Sequence, residues 1–138
     1  MLNLLKTYSG SCHCGDIAFE ATIDFSEGTS RCNCTFCRKT RNWTAATTPE
    51  HFRITQGDKL IRKYDATDQG SNYHCFCSIC GVRLFSEGDI PELGGVYVTV
   101  AIAALDDASI EELNFAPITW MDGLHDNWFS PPQETEHL

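Results

Sequence analysis

The sequence predicts a mainly β fold of many short strands, and three observations predict it. Apolar and polar residues alternate over Asp16–Phe25 and again from Val96 to Ile102, the two-residue period of a half-buried strand. Turn-forming residues recur at short intervals, as at Ser26–Ser30, Gln56-Gly57-Asp58-Lys59 and Gly94-Gly95. Helical signals are confined to two short stretches.

Taken in order, Asp16–Phe25 puts Ile17, Phe19, Ala21, Ile23 and Phe25 on one side of a strand. Ser26–Ser30 reads as a link into a cysteine cluster, and Thr35–Arg41 as a short helical turn carrying Cys37. The Thr-rich run Thr44–Thr48 is a strand ended by Pro49. Phe52–Thr55 and Leu60–Asp65 flank residues 56–59, which predicts a hairpin. Asn72–Phe76 enters a second cysteine turn and Val82–Phe85 leaves it. Gly94-Gly95 then opens the strand of Val96, Val98, Val100 and Ile102. Ser109 and Glu112 fit a capping box for a helix ending near Leu113. Ile118–Met121 is the last strand, and the tail from Pro131 is expected to lie extended on the surface.

A chain of 138 residues predicts one domain over 1–138. With 42% hydrophobic and 21% charged residues the composition is that of an ordinary globular protein. The formal net charge of -9 argues against nucleic acid, because binding a phosphate backbone needs a basic stripe. The one basic cluster, Arg38, Lys39 and Arg41, suits at most a small anion caught locally. No apolar run approaches the roughly 20 residues needed to cross a bilayer. The opening MLNLLKTYSG is too short in apolar residues for a secretory core, so a cytoplasmic location is expected.

The eight cysteines lie at 12, 14, 32, 34, 37, 75, 77 and 80, giving C-x-C, then C-x-C-x2-C twice. Disulfides would need an oxidising compartment. Residues i and i+2 of an extended strand also stand about 6.6–6.8 Å apart at Cα, at the limit for a bridge. Around zinc, tetrahedral sulfurs sit about 3.8 Å apart, and a tight turn brings C-x-C or C-x2-C to that spacing. Gly15 and Gly81 each follow a cysteine, where the chain must leave such a turn with positive φ. All-thiolate tetrahedral sites select zinc or iron, and the spacings match neither ferredoxin pattern. Zinc is therefore expected, with a rubredoxin-like iron site as the minor alternative. Eight sulfurs close two four-sulfur sites, or close one and leave the other with an open position, as catalytic zinc requires.

Gly10-Ser11-Cys12-His13-Cys14-Gly15, Cys32-Asn33-Cys34-Thr35-Phe36-Cys37 and Phe76-Cys77-Ser78-Ile79-Cys80-Gly81 together resemble the glutathione-dependent formaldehyde-activating family, whose relatives include centromere protein V. Met121-Asp122-Gly123, Asp126-Asn127-Trp128 and Pro131-Pro132 resemble a bacterial subgroup of it. The resemblance implies a tent-like fold of several coiled β-sheets with short helical turns, similar to methionine-R-sulfoxide reductases. It implies a structural zinc on Cys12, Cys14, Cys77 and Cys80, and a second, catalytic zinc on Cys32, Cys34 and Cys37. The implied activity is that of a carbon–sulfur lyase, condensing glutathione with formaldehyde to S-hydroxymethylglutathione. A free thiol is only a few per cent ionised at pH 7, about 2 kcal/mol short of full ionisation, which is the deficit a metal removes.

Cys75 stands where the family pattern asks for no cysteine, and three roles are open to it: fourth ligand of the second site, redox-active thiol, or small buried residue. If it closes the second site, the alternative function is a non-enzymatic zinc-stabilised β module that binds a protein or carries a small thiol. Arg38, Lys39 and Arg41 are the local candidates for glutathione carboxylates, since Arg offers a bidentate fork. Trp43 is a candidate wall of the substrate cleft. His13 and His74 adjoin cysteines, and Asp122, His125, Asp126 and Asn127 form a polar patch between Trp120 and Trp128.

Overall fold

Two sheets share one apolar core in the computed structural model, which describes residues 4–67 and 70–138. Of the opening segment, residues 1–3 lie outside the described residues. The smaller sheet has the order β1-β2-β5, from β1 (Lys6–Ser11), β2 (Ala18–Ile23) and β5 (Phe52–Gln56). The larger sheet contains β3 (Thr29–Cys32), β4 (Trp43–Thr47), β6 (Ile61–Asp65), β7 (Asn72–Cys77), β8 (Arg83–Ile90), β9 (Gly95–Ala101) and β10 (Ile118–Met121). Its order is β10-β3-β4-β9-β8-β7-β6. All pairs in it are antiparallel except β10 with β3, which run parallel. The fold is mainly β, as the alternation requires.

The period-two pattern decides which faces meet. Ile17, Phe19, Ala21 and Ile23 are buried, as are Val98 and Val100, while Val96 at the start of β9 is exposed. Phe19 packs on Phe52, and Phe52 on Phe85 with ring centroids 4.6 Å apart, which joins the two sheets through their inner faces. Thr47 reinforces the join by donating its hydroxyl to the Thr22 carbonyl at 2.7 Å.

The expected hairpin across residues 56–59 does not form. β5 pairs with β2 in one sheet and β6 with β7 in the other. Gly57 has φ +79, and a Cβ there would lie 2.1 Å from the Asp16 carbonyl oxygen. It makes a close crossing between sheets, followed by a 3-10 turn over Asp58–Leu60, and not a hairpin tip. The link read at Ser26–Ser30 also holds more structure than expected. A 3-10 turn over Phe25–Glu27 leads through Gly28 into β3, a strand the polar sequence Thr29-Ser30-Arg31 conceals.

The two helices are single short pieces, α1 (Thr35–Thr40) and α2 (Ile110–Phe115). The capping box of α2 is complete: Ser109 accepts from the Glu112 amide and Glu112 accepts from the Ser109 amide. Glu112 also accepts from the Tyr8 hydroxyl, tying α2 to β1.

Candidate metal centres

Seven of the eight cysteines gather into two groups at sheet ends. Cys12 and Cys14 lie in the turn between β1 and β2, and Cys77 and Cys80 at the turn between β7 and β8. The two turns are built alike. Gly15 donates to the Cys12 carbonyl and Gly81 to the Cys77 carbonyl. Their φ angles are +83° and +79°, and a Cβ at either would meet nothing within 4 Å. Conformation, and not space, therefore demands glycine at both. Amides of the turns point at sulfur: Ile17 donates to Cys12 at 3.3 Å, and Ile79 and Cys80 donate to Cys77 at 3.3 and 3.4 Å.

These turns bring sulfurs that are more than sixty residues apart in sequence into contact. Cys12 and Cys14 Sγ are 3.6 Å apart, and Cys14 and Cys77 Sγ are 3.8 Å apart. All four sulfurs lie within 4.8 Å of one another. Those separations fit the edges of a tetrahedron with metal–sulfur bonds near 2.3 Å, so the group is able to hold one metal ion. Since β1–β2 belongs to one sheet and β7–β8 to the other, an ion here would clamp the sheets together.

The second group has three sulfurs. Cys32 ends β3, Cys34 is the N-cap of α1, and Cys37 lies in its first turn. Cys34 caps the helix with its sulfur, accepting from the Cys37 amide at 3.3 Å, where a Ser or Asp oxygen would ordinarily serve. The Cys34 amide donates to Cys32 Sγ at 3.4 Å, and Asn42 Nδ2 donates to Cys37 Sγ at 3.7 Å. Asn42 leaves its own Oδ1 buried without a hydrogen-bond partner among the described residues. Packed this closely, the thiols cannot ionise independently. Hydrogen bonds from Cys34 and Cys37 hold Cys32 down at about 2, whereas the Cys32 and Cys34 sulfurs push Cys37 far up. Such a cluster is relieved by a cation, which stabilises all three thiolates at once.

Cys75 joins neither group. Of the three roles open to it, its position fits the small buried residue. It is 0% exposed in the middle of β7, inside the apolar core, and burial pushes its thiol up to about 12. His74 is in neither group: its Nδ1 pairs with Ser86 Oγ at 2.7 Å and its ring stacks on Phe36 at 3.7 Å. His13 is exposed.

The polar patch near the C-terminus belongs to the second group, and the residue that joins them was missed in the sequence. Asn33, between Cys32 and Cys34, is 6% exposed. Its Nδ2 donates to Asp122 Oδ1 at 2.7 Å, its Oδ1 accepts from the Leu124 amide at 2.9 Å, and its backbone amide donates to the Met121 carbonyl at 3.2 Å. Asp122 in turn holds His125 Nδ1 at 2.8 Å, leaving a side chain that is 71% exposed. The loop comes so close that a Cβ on Gly123 would lie 2.7 Å from Cys32 Sγ and 2.6 Å from the Trp128 ring. Only the position of Asn33 inside a C-x-C motif hinted at this role.

Of the four residues expected to bind glutathione, Arg41 and Trp43 line a pocket of about 380 Å3, together with Thr40, Val82 and Arg83. Arg38 and Lys39 are exposed on α1 and are not among the residues lining that pocket. A second pocket of about 350 Å3, lined by Leu5, Tyr8, Phe25 and Phe115, has no cysteine in its wall.

Comparison with known proteins agrees with this architecture. The family described as glutathione-dependent formaldehyde-activating enzyme matches residues 7–121. The chain belongs to that family. Among solved structures, the crystal structure of a Rhodobacter sphaeroides protein superposes with a TM-score of 0.67 at 25% sequence identity, covering 80% of this chain and 99% of that one. Among the described residues no helix is long and apolar enough to cross a membrane.

Proposed function

We propose that the protein is a zinc-dependent enzyme of carbon–sulfur lyase type, joining glutathione or a related thiol to formaldehyde or another small aldehyde. One observation carries the reading: the second group offers three sulfurs within 4.8 Å of one another and, among the described residues, no fourth ligand, one short of a closed tetrahedral shell. The non-enzymatic alternative needs Cys75 to close that shell, and Cys75 lies in the core. Family membership supplies the thiol and the aldehyde.

Cys32, Cys34 and Cys37 would hold zinc, which supplies a cation that keeps a coordinated thiol ionised at neutral pH. Everything else falls to the chain. The Cys34 and Cys37 amides and Asn42 fix the three sulfurs in place. Trp43 and Arg41 wall the adjoining pocket. In the net reaction the thiol sulfur bonds to the aldehyde carbon, and the thiol proton ends on the former carbonyl oxygen. His125, held by Asp122 on the loop whose Gly123 packs against Cys32, would carry that proton.

Loss of formaldehyde should accelerate with zinc-loaded protein and glutathione together, and fall to the uncatalysed rate in Cys34→Ala. Equal rates with and without protein would refute the reading.

A further inference from the structure

The pocket at the end of α1, lined by Arg41, Trp43 and Arg83, is basic in an acidic molecule. The chain has 19 acidic and 10 basic residues. Lys6, Arg53 and Lys63 each pair with a glutamate. Among the described residues Arg31, Arg41 and Arg83 form no ion pair with a carboxylate; neither do Arg38, Lys39, Lys59 and Arg62, but those four are exposed and do not line the pocket. Arg41 and Arg83 both line the pocket, one at the end of α1 and the other at the start of β8. Arg31 lies over the Trp43 ring with its guanidinium carbon 4.7 Å from the centroid, and Trp43 is itself a pocket wall.

These arginines are held at a cost. Arg83 is half-buried, with its guanidinium 5.3 Å over the Phe36 ring. Burial lowers its pKa and that of Arg31, and the like charge of Arg41 lowers Arg31 further. Arg41 sits in the left-handed region at φ +53, ending α1, and its Nη1 donates to the His137 carbonyl at 3.4 Å. Like charges gathered without counter-charge, in an acidic chain, form a receptor for an anion brought from outside. Their forks suit carboxylates, and Trp43 supplies a flat apolar wall between them.

We infer that this pocket is a carboxylate site, in which Arg41 and Arg83, backed by Arg31 on Trp43, bind the acid end of the thiol substrate. The inference rests on the proposed thiol chemistry and narrows its substrate class to thiols bearing carboxylates, excluding neutral and cationic thiols. It also replaces Arg38 and Lys39 as the binding pair with Arg83 and Arg31. The route from pocket to sulfur is short in sequence terms: Asn42, next to Arg41, donates to Cys37 Sγ at 3.7 Å.

The test compares glutathione with its diethyl ester by calorimetric titration of the zinc-loaded full chain. The ester should bind about ten-fold or more weakly, the loss of one charge-assisted contact or more. Arg83→Gln and Arg41→Gln should each weaken glutathione by about ten-fold while leaving the ester unchanged. Arg41 is exposed, so its variant keeps the fold. Equal affinity of wild-type protein for acid and ester overturns the inference. So does a preference for the acid that survives both substitutions, or a variant that weakens acid and ester alike. The outcomes separate this inference from the proposed reaction. Protein that prefers the acid without consuming formaldehyde keeps the pocket and loses the reaction. Protein that consumes formaldehyde equally fast with either thiol keeps the reaction and loses the pocket.

Discussion

Asn33 is the residue on which the second cysteine group depends without being a ligand. It satisfies Asp122 and the Leu124 amide with its two amide atoms, at a site only 6% exposed. Replacing it by Ala strands the buried Asp122 carboxylate and the part-buried Leu124 amide, which costs about 1–3 kcal/mol in chemical denaturation. The same change frees the 122–128 loop that presses Gly123 against Cys32, so metal affinity of the second group should fall while that of the first is unchanged. Asn33 shows what a sequence conceals at this scale. The cysteine spacings announce metal sites because sulfur geometry is local to a turn. The partners of Asn33 are some ninety residues away, and no local pattern points to them. Cys75 illustrates the converse: its C-x-C spacing to Cys77 mimics a ligand pair, yet strand geometry sends it into the core.

At the scale of elements, α1 is too short to be stable alone and is held by what it carries. Its Cys34 sulfur caps it, Arg41 ends it, and Phe36 docks it on β7 by stacking over His74 at 3.7 Å and 13° between planes. Burial, and then the charge of Arg83, pull His74 down to about 4 from the usual 6.5. The folded state therefore resists protonating it, whereas the unfolded chain takes up a proton as pH falls through 6.5. His74 accordingly costs stability progressively from pH 6.5 down to about 4, by about 3 kcal/mol in all. In His74→Phe the aromatic stack remains and this term vanishes. Denaturation midpoints of variant and wild type should then diverge between pH 6.5 and 4, the wild type losing more. Parallel curves would show that His74 does not titrate with folding. The strands β2 and β9 and the helix α2 were legible at this level because alternation and the Ser109–Glu112 box are short-range signals, whereas β1 and β3 carry no clean alternation and were not. The false hairpin at residues 56–59 was not, since a turn sequence says where the chain bends and not which sheet receives it.

For the whole molecule the two cysteine groups divide the work. The four-sulfur group bridges two turns of different sheets, which makes it the natural clamp of the fold. The three-sulfur group sits at the end of β3 under a loop from β10, beside an arginine-lined pocket, which makes it the natural place for chemistry. The central claim is that the second group holds zinc with one position open to a thiol. X-ray absorption at the zinc edge, on protein carrying two zincs per chain, measures this directly. Four sulfurs at one ion and three at the other average about 3.5 per zinc, and saturating glutathione should raise the average to about 4. A shell already at four sulfurs without glutathione, or one that glutathione leaves unchanged, would contradict it.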